Sequence, residues 1–252
     1  MKTAIAVAAH PDDIEFVMAG TLLRLKDAGW EIHYLNISNG NCGSQKLDSE
    51  ETAKVRLTEA REASRIMGAI FHEPFSRDLE ILYDLQHLRR LAAILHEVAP
   101  DLVLTHSPED YMEDHMNTSR LVVSAAFTHS MPNFETIPSV PPPFKEVTIY
   151  HAMPHGLQDG LRRKIQPDTF VDVTDLQEIK LKALAAHKSQ QDWLESSQGL
   201  NSYLQTLADQ DREVGHLSGQ FRFAEGWRRH SHLGFSHEDR DILTEALPGR
   251  VV

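Results

Sequence analysis

Over the first 130 residues, short apolar runs alternate with longer amphipathic segments, and this alternation limits the folds open to the chain more than any other feature. Thr3–Ala8 reads as a buried strand and residues 18–28 as a helix closed by Gly29. Residues 31–37 form a second strand, followed by the polar, glycine-bearing loop 38–44. A long helix is expected over Ser49–Met67 with Gly68 as its stop, then a weak third strand at 69–73 and a helix over Leu85–Val98 ended by Pro100. Asp101-Leu102-Val103-Leu104-Thr105 is a fourth strand, and a helix follows from about His115 to His129. Strands and helices in such regular succession predict an α/β fold, a Rossmann-like three-layer αβα sandwich with a mostly parallel sheet. Beyond a stiff, proline-rich connector at 138–145, residues 146–151 and 169–173 read as added strands, and 175–188 and 197–214 as added helices. A length of 252 residues with 41% hydrophobic side chains suffices for one domain over 1–252, with 146–252 as a C-terminal elaboration.

Charge and composition exclude several function classes. Lys and Arg number 25 against 37 Asp and Glu, a net charge of −12, which argues against binding nucleic acid through its phosphates. No apolar run approaches the roughly 20 residues that span a bilayer, and the opening apolar run breaks at His10, so a cytoplasmic protein is expected. One Cys rules out a disulfide framework and a thiolate zinc site. Fifteen His remain, so any metal must be held by imidazole and carboxylate.

In a doubly wound sheet, ligands bind beyond the carboxyl ends of the strands where the strand order reverses. The loop after the first strand lacks the GxGxxG of a dinucleotide site and carries Ala9-His10-Pro11-Asp12-Asp13-Ile14-Glu15 instead. After the fourth strand comes His106-Ser107-Pro108-Glu109-Asp110-Tyr111-Met112-Glu113-Asp114-His115. If strands one and four are neighbours, these loops converge. His10 and Asp13, three apart in a turn stiffened by Pro11, then aim at one point that His115 closes from a helix start. Two imidazoles and one carboxylate leave coordination positions open, as catalytic zinc sites do. Asp12, between the first two ligands, is free to accept a proton from metal-activated water.

With these motifs the sequence resembles the PIG-L or LmbE-like family of zinc-dependent de-N-acetylases, which act mainly on N-acetylglucosaminyl compounds. The family's AHPDD-x-E matches Ala9 to Glu15, and its later Asp-His matches Asp114-His115. The likeness extends to loop 38–44, to Arg56-Leu57-Thr58-Glu59-Ala60 and to Phe170-Val171-Asp172-Val173-Thr174. It implies one zinc per chain on His10, Asp13 and His115, and Asp12 as general base. The substrate it implies is a small N-acetyl amino sugar or glycoconjugate, and homo-oligomers are common among relatives. It also implies that Arg56 reaches the substrate, against the alternative of a solvated Arg on an exposed helix. Many members carry a His three positions before the ligand His as the acid, where this chain has Met112. Two replacements are open: another His, with His151 at the end of the fifth strand first and His155 in its loop next, or Asp12 returning its own proton. His106, His129, His230 and His232 rank behind these. Glu15 is expected to support the site, and Asp114 either to orient an imidazole or only to favour a helix start. Residues 224–232 read as a sugar-recognising lid carrying Trp227, Arg228 and Arg229, or as a docked surface helix. Two rival functions remain, a metallophosphoesterase and a non-catalytic sugar-binding relative.

Overall fold

The computed structural model describes residues 1–198 and 203–252. Seven strands, β1 (Thr3–Ala8), β2 (Glu31–Asn36), β3 (Ile70–His72), β4 (Leu102–Thr105), β5 (Thr148–Ala152), β6 (Thr169–Asp172) and β7 (Ala224–Arg229), form one sheet in the order β3-β2-β1-β4-β5-β7-β6. The pairings from β3 through β5 are parallel, whereas β7 runs antiparallel to both β5 and β6. The helices are α1 (Asp13–Val17), α2 (Ala19–Asp27), α3 (Ser49–Met67), α4 (Leu85–Val98), α5 (Glu113–Phe127), α6 (Gln177–Leu184), α7 (Lys188–Gln198), α8 (Tyr203–Ser218) and α9 (Ile242–Ala246). Residues 199–202 of the helix expected over 197–214 lie outside the described residues.

Every side chain of β1 is buried, so the strand reads as a continuous apolar run, as a parallel strand covered on both faces must. Ala4, Ala6 and Ala8 join Leu22 and Leu25 of α2 on one face of the sheet. Ile5 and Val7 join Leu91 of α4 and Leu121 and Val122 of α5 on the other. The helix expected over 18–28 is α2, and a further short helix, α1, precedes it, the two meeting at Met18. In α3 the Asp48 carboxylate accepts from the amides of Glu50 and Glu51, and Gly68 closes the helix at φ 69°.

Residues 224–229 correct the lid and surface-helix readings, because they form an inner strand of the sheet. Trp227 is fully buried, its Nε1–H donating to Thr21 Oγ1 at 2.9 Å. A strand covered on both faces shows no alternation, and its terminal Arg pair gives it the look of a surface segment. Glu225 of the same strand accepts from the amides of Gly20 and Thr21 at the start of α2, at 2.8 and 2.7 Å. Lys180 of α6, completely buried, donates to Glu225 and to Asp211 of α8, at 2.7 Å each. Lys180→Met would leave two buried carboxylates without their cation, a loss of about 3–5 kcal/mol by the usual cost of breaking a buried ion pair. Denaturant unfolding should show it; a loss below about 1 kcal/mol would mean that water already screens the cluster.

Candidate metal centre

The sheet reverses order at β1, which has β2 on one side and β4 on the other. The loops leaving β1 and β4 therefore meet above the same crevice. Asp12 takes φ 97°, a left-handed backbone that costs a non-glycine residue energy and is typical of functional turns. The turn is held by the His10 amide, which donates to Asp13 Oδ2 at 2.7 Å, and by Asn36 Nδ2, which donates to the His10 carbonyl.

Three donors converge there. His10 Nδ1 lies 3.3 Å from Asp13 Oδ2, and His115 Nε2 lies 3.4 Å from Asp13 Oδ1. One ligand atom from each of the three residues lies within 4.8 Å of the other two. The opposite ring nitrogens are occupied: His10 Nε2 pairs with Asp114 Oδ2 at 3.0 Å and His115 Nδ1 with Asp110 Oδ1 at 3.1 Å. Each carboxylate is itself anchored, Asp114 by the Leu79 amide at 2.7 Å and Asp110 by the Met112 amide at 3.1 Å. Carboxylate-held imidazoles facing a third carboxylate suit one divalent cation. Asp114 is thus an orienting partner of His10 and more than a helix-terminal charge.

A second group, His106, Asp110 and His115, shares His115 with the first. The His106 ring stacks on His115 at 4.1 Å between centroids, and its Nε2 accepts the Ala9 amide at 2.9 Å. The described residues therefore provide one independent donor set. His106, which sequence reasoning left unplaced, braces the β1 loop against β4; its position directly after the fourth strand was the available signal.

The electrostatics of the metal-free cluster follow from burial and pairing. Burial lowers the His10 pKa, but hydrogen bonds to Asp114 and Asp13 outweigh it and hold the imidazole at about 9. Burial likewise opposes the charge on His115, and Asp13 and Asp110 raise it to about 10. Burial raises Asp13, yet His115, His106 and His10 keep it well below the usual carboxylate range. Metal ligation needs neutral imidazoles, so both rings must give up protons when a cation enters. Metal affinity should therefore rise from pH 6 to 9, with proton release on binding at pH 7. Calorimetry in buffers of different ionisation enthalpy measures that release; a pH-independent affinity would contradict it.

Asp12 is buried beside the triad. Its Oδ2 accepts from Tyr203 OH at 2.7 Å, and its Oδ1 lies 3.6 Å from Arg56 Nη2. Burial raises its pKa to about 6 despite the lowering effect of Arg56, with Asp13 adding to the rise. Arg56 is not on an exposed face: it is 2% exposed, and Nη2 donates to the Pro11 carbonyl at 2.5 Å. Two glycines of loop 38–44 make room for it. A Cβ on Gly40, which has φ 75°, would stand 2.7 Å from Arg56 Cδ, and one on Gly43 would stand 2.5 Å from Nη1. Tyr203 escaped sequence reasoning because it comes from α8, 191 positions away.

A cavity of about 510 Å³ opens from the triad, lined by Asp12, Arg56, Met112, His155 and Tyr203 among others. His151 is not part of it. Strand alternation puts His151 on the side of Ile149, against Ser119 of α5, with Nδ1 donating to the His106 carbonyl at 2.9 Å and Nε2 against His230 Nδ1 at 3.0 Å. It faces a separate cleft of about 520 Å³ that also contains His230. The sequence expectation of an acid at His151 is corrected on geometry, because the ring opens on this other cleft and not on the triad's cavity; burial also holds it near pKa 4. His155, in the loop beyond β5, does reach the cavity and packs edge-on to Phe16 at 6.1 Å. His129 and His232 pair elsewhere, with the Gly234 carbonyl and with Asp239. Glu15 touches no ligand; it accepts from Tyr34 OH at 3.3 Å and lies 3.3 Å from His187.

Fold and site together define a Rossmann-like α/β protein with a His-Asp-His pocket, suited to one metal ion, at the strand-order reversal. Residues 5–126, which carry the whole triad, match the family model described as PIG-L: GlcNAc-PI de-N-acetylase. The chain is 29% identical over 237 residues to a diacetylchitobiose deacetylase of Thermococcus kodakarensis, covering 90% of this chain and 83% of that protein. It is 27% identical to a 4-oxalmesaconate hydratase of Pseudomonas putida, over 75% of this chain and 74% of that one. Among solved structures, an inhibitor complex of N,N'-diacetylchitobiose deacetylase from Pyrococcus horikoshii superposes with a TM-score of 0.75 at 27% identity, covering 94% of this chain and 87% of that one. No helix among the described residues is long and apolar enough to cross a membrane.

Proposed function

We propose that the protein is a metal-dependent hydrolase that removes acetyl from an N-acetylated amino sugar of the N-acetylglucosamine type. The observation that carries this reading is the position of Asp12, a buried carboxylate that is not a donor of the triad yet lines the same cavity. His10 Nδ1, Asp13 and His115 Nε2 would hold one divalent ion, zinc being the ion best suited to two imidazoles and a carboxylate. Bound there, such an ion polarises a carbonyl and makes water more acidic.

The remaining chemistry belongs to this chain's residues. Asp12 takes a proton from the attacking water as the new C–O bond forms at the acetyl carbon. It then passes that proton to the departing nitrogen as the C–N bond breaks, so one carboxyl serves as base and then acid. A pKa near 6 suits both directions. Tyr203 and Arg56 keep the carboxyl oriented toward the cavity, and Arg56 also fixes the Pro11 carbonyl on the turn between the ligands. This route needs no acid at Met112.

The similarity to a hydratase sets a rival reaction. A polycarboxylate of the kind that enzyme's name describes needs several cations. Arg56 is the one Arg or Lys among the described lining residues, and it is committed to Pro11 and Asp12. A two-metal phosphoesterase finds no second independent donor set among the described residues. A panel of N-acetyl sugars, polycarboxylates and phosphate esters, offered to the metal-loaded protein, separates the readings. Acetate release is expected; turnover of another class alone would replace the proposal, and no turnover at all would leave the sugar-binding reading.

A further inference from the structure

Much of the wall of the cavity beside the triad is apolar, and several of its polar groups are already engaged. Asp78, on its wall, is consumed by loop 38–44: Oδ1 accepts from Ser38 Oγ at 2.7 Å and the Gly40 amide at 2.9 Å, and Oδ2 accepts from the Cys42 amide at 3.0 Å. Arg56 and the Tyr203 hydroxyl are committed to the Asp12 turn. Gln190 Oε1 is a buried acceptor without a hydrogen-bond partner, enough for one sugar hydroxyl. Phe16, Val17, Leu79, Met112 and Met153 make much of the rest of the wall. A second sugar ring would set several hydroxyls against this apolar wall, whereas an alkyl or aryl group is matched to it.

Leu79 gives the apolar wall its most telling member. It lines the cavity, yet 68% of it is exposed, and it sits at φ 63°, where a branched apolar residue is disfavoured and Asn or Gly is at home. Its amide holds Asp114, the partner of His10. This strained leucine, tied to the metal centre's support, puts an apolar surface on the cavity wall. Tyr111, 54% exposed, also lines the cavity.

We propose that the substrate's amino sugar carries an apolar aglycone, alkyl or aryl, which lies against Leu79 and Tyr111 while the acetamide faces the triad. This rests on the de-N-acetylase reading and narrows its substrate class away from oligosaccharides. Covering about five methylenes even partly is worth a tenfold gain in affinity or more.

The test uses calorimetry on the metal-loaded protein with the methyl and hexyl β-glycosides of glucosamine, product-like amines that cannot be deacetylated. The hexyl compound should bind at least tenfold more tightly. In Leu79→Asn, whose backbone suits the left-handed position, the advantage should fall below about threefold with no loss of thermal stability. Equal affinity of the two glycosides would overturn the inference, as would an unchanged advantage in Leu79→Asn. An altered oligomeric state in that variant with the advantage intact would also overturn it and assign the rim to a second copy of the chain. Acetate release from methyl N-acetyl-β-glucosaminide, measured alongside, tests the underlying reaction separately, because glycoside affinity is read whether or not turnover occurs.

Discussion

Asp12→Asn is expected to lower kcat for acetate release by about 10²- to 10⁴-fold, the range for loss of a general base, while the protein still binds one metal ion per chain. The variant keeps the shape of the side chain and an oxygen to accept the Tyr203 hydroxyl, so the cavity wall should hold. What it removes is the group that accepts the water's proton and returns it to the amine. The wild-type pH profile should carry the same information. Asp12 is active as the carboxylate, and burial places its pKa at about 6 in the metal-free site, so activity should fall as pH drops through its pKa. An entering divalent cation adds two charges as the two imidazoles give up theirs, so the charge beside Asp12 is little changed and the acid limb is expected near 6. Asp12→Asn should lose that limb. An unchanged limb would assign it to another group.

The second large effect concerns the triad itself. His115→Ala should abolish stoichiometric metal binding and, with it, turnover, because two donors do not make a catalytic site of this type. Asp110→Asn provides the graded comparison. It leaves all three donors but weakens the hold on His115 Nδ1, and such orienting partners typically account for 10- to 100-fold in metal affinity. Metal analysis after dialysis against a buffered metal solution distinguishes the two. If His115→Ala retained one tightly bound ion, the overlapping group that contains His106 would have to be reconsidered, although Nε2 of His106 is engaged by the Ala9 amide.

The half of the fold that carries the site was legible because its physics is local. Buried parallel strands leave continuous apolar runs, and helix stops leave Gly68 and the alanine before Pro100, whereas the neighbouring of the first and fourth strands is a condition of the sequence reading that the sheet order meets. The convergence of His10, Asp13 and His115 follows from that order and from one tight turn. What could not be read depended on long-range pairing. β7 enters the sheet antiparallel between β5 and β6, and nothing local distinguishes a doubly covered strand ending in Arg228-Arg229 from a surface segment. His151 was placed by strand end alone, but facing is set by alternation, and a shift of one residue exchanges one side of the sheet for the other. Tyr203 reaches Asp12 from the far end of the chain, and Asp114 and Asp110 show their roles only when the side-chain nitrogens they hold are visible. Arg56 reads as a substrate contact from the resemblance, whereas its hold on the Asp12 turn shows only in the folded chain.

The most direct test is a titration of metal-free protein with zinc, following acetate release from an N-acetylglucosaminide at each addition. The account predicts acetate release that rises linearly to one equivalent of metal per chain and is absent without it, with His115→Ala flat throughout. Full acetate release by the metal-free protein, or a rise that continues to two equivalents, would contradict the single His10-Asp13-His115 centre.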